Sequence, residues 1–87
     1  MRIIANGKVY NTENPNWDIL AEYNTAYEIE KIYRTKGNEY VYYNKQILDS
    51  DVPTPPIEKM FLLMHDVAYA KLSNFRGIVY YDKFEEA

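Results

Sequence analysis

The segment from Glu28 to Lys45 constrains the fold most. Its two halves, Glu28 to Thr35 and Glu39 to Lys45, are rich in Ile, Tyr and Val and flank Lys36-Gly37-Asn38. Aromatic and β-branched residues on both sides of a glycine-containing break mark a β-hairpin. A two-residue turn at Gly37-Asn38 sets Lys36 opposite Glu39, Tyr33 opposite Tyr42 and Glu30 opposite Lys45, so two opposite-charge pairs and an aromatic pair support that register. A three-residue turn moves every partner by one, and the sequence leaves both open.

The other elements follow from periodicity and turn chemistry. Met1 to Ala5 reads as an apolar strand, and Asn6-Gly7 tolerates the positive φ angles of a tight turn, so Lys8 to Thr12 pairs back on it. Glu13 to Asn16 is a loop. Trp17 to Tyr23 alternates as Trp17, Ile19, Ala21 and Tyr23 against Asp18, Leu20 and Glu22 and reads as a third strand, with a short helix as the competing assignment. Gln46 to Pro56 holds Pro53, Pro55 and Pro56 and reads as an extended connector. Ile57 to Leu72 is predicted as the core helix: Pro56 is placed to start it, Glu58 suits its first turn, and Ile57, Phe61, Met64, Ala68 and Leu72 line one face. Ser73-Asn74 and Gly77 end it, and Ile78 to Tyr81 reads as a closing strand. The expected fold is α+β: a single domain over residues 1–87, with an antiparallel sheet of about five to six strands packed against one long helix.

With 87 residues the chain buries only about 60–65% of the surface it would expose unfolded. Large side chains must fill so small a core, and ten Tyr, three Phe and one Trp are there to do so. No cysteine is present, which removes disulfides, thiolate nucleophiles and the usual structural zinc ligands. Net charge is −3, the wrong sign for a generic phosphate-backbone binder. The longest apolar stretch, Met60 to Met64, is five residues, against roughly 20 for a membrane helix. Arg2 is followed by too short an apolar run for a signal peptide, so a cytoplasmic address and no membrane partner are expected.

Little in the chain reads as reaction machinery. His65 is the single histidine, and a lone helical His is most often a boundary residue. Asp66 points about 100° away from it on a helix. Ser50 and Ser73 lie in no nucleophile-elbow pattern, and Gly7, Gly37 and Gly77 are too far apart for a phosphate-cradling loop. The expectation is therefore a non-enzymatic protein without cofactor or metal.

Charge is segregated along the chain. Between Val9 and Glu30 lie five acids (Glu13, Asp18, Glu22, Glu28, Glu30) and no Lys or Arg. Such a sector can steer a protein toward a basic partner or mimic nucleic acid, with Tyr23, Tyr27 and Tyr33 as aromatic anchors. From Lys31 to Lys45 the balance reverses, and Lys31, Arg34, Lys36 and Lys45 alternate with tyrosines. Tyr40 and Tyr42 beside these cations give the alternative reading, a stacking platform for single-stranded nucleic acid, while the bland reading makes the tyrosines core and rim of a small sheet. Leu62 and Tyr69, opposite the main apolar face of the predicted helix, are a candidate homodimer face.

Gly7-Lys8-Val9-Tyr10-Asn11-Thr12, Ala21-Glu22-Tyr23 and Ile32-Tyr33-Arg34-Thr35-Lys36-Gly37-Asn38-Glu39-Tyr40 together resemble small proteins of bacterial phages and mobile elements. Those carry a G-K-x-Y-x-T hairpin, a strand and an L-Y-R-T-K-K-G-x-Y hairpin. The match covers about the first half of the chain. The second turn is one residue shorter here, Asn44-Lys45-Gln46 replaces a glycine-rich stretch, and the C-terminal half is unmatched. The resemblance implies a stoichiometric, anti-CRISPR-type inhibitor docking on a host protein or ribonucleoprotein complex in the bacterial cytoplasm, and it implies no catalytic residue.

Overall fold

The computed structural model describes residues 1–47 and 55–86. Two sheets and one α-helix make up the α+β fold expected from the sequence. β1 (Arg2–Ala5) and β2 (Lys8–Asn11) form a two-stranded sheet, and their turn puts Asn6 at φ 53° and Gly7 at φ 73°, the left-handed pair that a two-residue hairpin with the natural strand twist requires. β3 (Asp18–Asn24), β4 (Glu28–Arg34), β5 (Tyr40–Gln46), β6 (Ile57–Leu63) and β7 (Ile78–Val79) form an antiparallel sheet in the order β6-β5-β4-β3-β7. Helix α1 spans His65–Ser73, and a short 3-10 turn follows at Tyr81–Lys83.

The β4–β5 hairpin adopts the three-residue turn. Tyr33 pairs with Val41, Ile32 with Tyr42 and Glu30 with Asn44, one residue away from the register that the charge pairs favoured. Turn geometry decides it: Thr35 N–H donates to Glu39 O at 2.8 Å, Asn38 N–H donates to Thr35 O at 3.1 Å, and Asn38 takes the left-handed conformation at φ 59°. The Thr35 hydroxyl adds bonds from the N–H groups of Gly37 and Glu39, each at 3.2 Å. Several local hydrogen bonds outweigh exposed charge pairs worth a few tenths of a kcal/mol each.

The core helix predicted over Ile57 to Leu72 is two elements. Ile57–Leu63 is strand β6, paired along its whole length with β5 from Gln46↔Ile57 to Tyr40↔Leu63, and the helix begins only after Met64. A five-residue apolar run fits a strand covered on both faces as well as it fits a helix, and the sheet supplies both covers: Met60 and Leu62 pack beneath the β1–β2 hairpin, while Leu63 packs on the helix side. Phe61, expected on the core face of that helix, is instead 42% exposed. The Gln46 to Pro56 connector lies outside the described residues over 48–54.

β3 also departs from simple alternation. Ile19 pairs with Tyr33 and Ala21 with Ile32, so Leu20 is the extra residue of a bulge and joins Ala21 on the same side. Both are fully buried. The five-stranded sheet thus has two apolar faces. Leu20, Ala21, Ile32, Tyr40, Tyr42 and Leu63 meet Ala68, Leu72 and Phe75 on one, and Tyr33, Val41 and Met60 meet Tyr10, Ile3 and Trp17 on the other.

Candidate functional site

Between α1 and the sheet runs an open groove of about 620 Å³. Ile32 and Tyr42 form its floor, Val67 and Ala70 of the helix one wall, and Phe75 and Arg76 its far end. The residues reach it for simple reasons. Ile32 and Tyr42 are cross-strand partners on the helix side of β4 and β5. Val67, Ala70 and Lys71 share one flank of the helix by their three- and four-residue spacing. Asn74 ends the helix and turns the chain, so Phe75 folds onto the core while Arg76 swings over β3 and β4.

Arg76 organises the charge. Its guanidinium lies 2.6 Å from Glu28 and 3.7 Å from Glu30, and stacks 4.2 Å from the ring centre of Tyr23. The Tyr42 hydroxyl donates to Glu30, and Asn44 Nδ2 donates to Glu28 at 2.9 Å. Asn44 and then Arg76 hold the Glu28 carboxyl below its usual range against a smaller opposing effect of burial. Burial first, and the bond to Glu30 second, push the Tyr42 phenol well above its usual value. Lys71 Nζ sits 4.9 Å over the Tyr42 ring, and Phe61 stacks against that ring at 5.0 Å. The groove therefore has an apolar lining and a rim on which Glu28 and Glu30 both pair with Arg76.

The acidic sector does not form one surface. Glu13 lies exposed in the β2–β3 loop. Asp18 pairs with Arg34 at 3.2 Å, and Glu22, on the opposite sheet face from Glu28 and Glu30, lies 4.0 Å from Lys31 and accepts a bond from Tyr80. The segregation seen along the chain becomes neutralisation once β3 lies beside β4, because antiparallel pairing sets Glu22 opposite Lys31 and Asp18 opposite Arg34. Of the aromatic anchors, Tyr27 is exposed at the β3–β4 turn, Tyr23 lies under Arg76, and Tyr33 is core: 5% exposed and edge-on to Trp17 at 5.6 Å.

The basic hairpin fares similarly. Lys36 is exposed in the turn and Lys45 is half-buried on the face away from the helix, but Tyr40 and Tyr42 are 6% and 7% exposed and offer no open ring face for a base to stack on. Leu62 and Tyr69 do not share a face either: Leu62 is in β6 under the β1–β2 hairpin, whereas Tyr69 is on α1 across the sheet, edge-on to Tyr40 at 5.6 Å. His65 anchors the start of α1, its Nε2 3.1 Å from Asn38 O and its ring edge-on to Tyr40 at 5.0 Å.

Arg76, Lys71 and Phe75 carry the groove, and nothing in the local sequence singled them out. The visible signal was Gly77. A Cβ there would meet Glu22 O at 2.3 Å and Tyr23 Cα at 2.9 Å, so only glycine lets the chain pass close to β3, and the residue before it is thereby delivered onto Tyr23. Among the described residues no three of His, Cys, Asp and Glu cluster as metal ligands, and no helix is long and apolar enough to cross a membrane. No protein-family model, no curated protein and no solved structure matches the chain.

Proposed function

We propose that the chain is a non-catalytic protein-binding domain, and that its docking surface is the groove between α1 and the sheet. The observation that carries this reading is the pairing of an apolar lining, exposed Val67 and Ala70 with half-buried Phe75, with a glutamate–arginine cluster that is satisfied within the fold. A partner's apolar side chain settling against Val67, Ala70 and Phe75, above the buried Ile32 and Tyr42, leaves Glu28, Glu30 and Arg76 with their own partners, so docking strands none of these charges. Lys71, exposed at the mouth, offers a rim contact for a carboxylate beside that anchor. Absence of turnover in this reading is supported by the engagement of Glu30, the glutamate that lines the groove. Glu30 accepts from Tyr42 and pairs with Arg76, and an acid–base pair would need one of them free to meet a substrate.

Stoichiometric inhibition of a bacterial defence complex is the form of binding that the hairpin resemblance implies, and it rests on that resemblance. The test is a side-by-side capture from bacterial lysate with wild type and Ala70→Arg. Ala70 is exposed on the groove wall, so the substitution fills the groove while leaving stability within about 0.5 kcal/mol. A protein held one-to-one by wild type and lost by the variant is the expected result. Equal retention by both proteins places the docking surface elsewhere.

A further inference from the structure

Strand β6 is an edge of the five-stranded sheet, and among the described residues nothing pairs with its outer side. Along its seven residues alternate positions turn their backbone N–H and C=O outward to an added strand, whereas the opposite edge, β7, is only two residues long. On the helix side of β6, Ile57 is 53% and Phe61 42% exposed, so the edge is flanked by apolar surface as well as by unpaired backbone.

We infer that the outer edge of β6 is a self-pairing interface, where a second copy of the chain adds its own β6 antiparallel and the two five-stranded sheets become one continuous sheet. The two-fold axis of an antiparallel pair is perpendicular to the sheet, so residues on the helix side must meet residues on the helix side. Centred on Met60, this register sets Ile57 opposite the partner's Leu63, Glu58 opposite the partner's Leu62, and Lys59 opposite the partner's Phe61. The whole strand is paired. No like charges are set directly opposite, and a Lys59 ammonium lies over an exposed phenyl ring twice, once in each half.

Shifting the centre to Lys59 puts two lysines face to face and brings Pro55, which has no N–H, into the ladder. Lysine is the residue that edge strands most often use to repel added strands, and β6 has one. In the Met60-centred register it meets an aromatic ring, so the device that would block an unrelated strand favours this one. The interface does not depend on the groove, and Ala70→Arg is expected to leave it intact.

Sedimentation equilibrium over a concentration series tests the inference through a charge swap. Wild type is expected to dimerise, and Phe61→Lys, which sets a second ammonium opposite the partner's Lys59, is expected to weaken the dimer at least roughly tenfold. Adding Lys59→Glu to Phe61→Lys sets opposite charges across the axis again and is expected to restore it. Because Phe61 also stacks on Tyr42, thermal melting of each variant checks its fold, and amide exchange in wild-type β6, expected to slow with rising protein concentration, reads the interface without any substitution. A monomer at every concentration, a dimer indifferent to Phe61→Lys, a double variant that stays monomeric, or β6 exchange independent of concentration would each overturn the inference.

Discussion

Six of the ten tyrosines, Tyr10, Tyr33, Tyr40, Tyr42, Tyr43 and Tyr80, hold their protons more tightly than a free phenol does, through burial or a glutamate acceptor. Tyr43, buried first and bonded to Glu58 second, is pushed up to about 12. A folded-state value raised above the unfolded one means that the unfolded chain releases protons first. The stabilisation is complete below the unfolded phenol value of about 10 and declines as pH rises from there through the folded values. Denaturation midpoints should therefore fall above about pH 10, and Tyr42→Phe, which has no proton to lose and leaves Glu30 to Arg76, should show a shallower fall than wild type. Equal slopes would mean that the Tyr42–Glu30 bond contributes nothing to the linkage. Gly77 makes a second residue-scale prediction. Gly77→Ala forces backbone apart where β7 meets β3, so a loss of about 1–3 kcal/mol is expected in urea unfolding.

At the scale of elements, β6 changes what its residues are worth. Were Phe61 the centre of a core helix, its truncation would cost about 3–5 kcal/mol; as a 42%-exposed strand residue stacked on Tyr42 it should cost about 1–2 kcal/mol. Leu20→Ala at the fully buried bulge should cost about 2–5 kcal/mol, and comparing the two in urea melts decides between strand and helix. The β4–β5 turn gives a sharper test. Asn38→Val places a β-branched residue at φ 59° and should lower stability by about 1–2 kcal/mol, whereas Asn38→Gly should be nearly neutral, because glycine accepts that conformation freely.

Across the whole molecule, Arg76 ties the segment after α1 to β4 by way of Glu28 and Glu30. The Glu28 carboxyl is held below its ordinary value, so its stabilisation is present above the unfolded carboxylate range near pH 4 and disappears as pH falls through the lower folded value. Acid should therefore loosen the Arg76 contact, and Arg76→Ala should remove part of the stability loss that wild type shows in urea melts as pH falls below about 4, the part that comes from the Asn44 bond, the largest single cause, remaining. Reversing Glu22, Glu28 and Glu30 to Lys has a different expected outcome from the one their sequence clustering suggests. Each has a partner in the fold, so the triple variant should melt well below wild type, a structural loss rather than a change confined to association rate. A melting temperature unchanged by the reversal would return these acids to the role of a free surface.

Turns and strand propensities were legible in the chain itself: Asn6-Gly7 admits positive φ, and the Ile, Tyr and Val runs around Lys36-Gly37-Asn38 favour extended backbone wherever they sit, so the α+β class and both hairpins followed from local chemistry. Three features were decided only in the folded chain, two of them by tertiary packing. The run from Ile57 to Leu63 satisfies helical and strand periods alike, and only the presence of β5 alongside, with cover on both faces, makes it a strand. The turn register depends on a local hydrogen-bond set that outweighs visible charge pairs. The groove, finally, is built from residues far apart in the chain, Glu30 and Tyr42 against Lys71 and Arg76, whose meeting depends on the passage of Gly77 past β3; local sequence specifies conformation, but which distant charges neutralise each other is settled only when the elements pack.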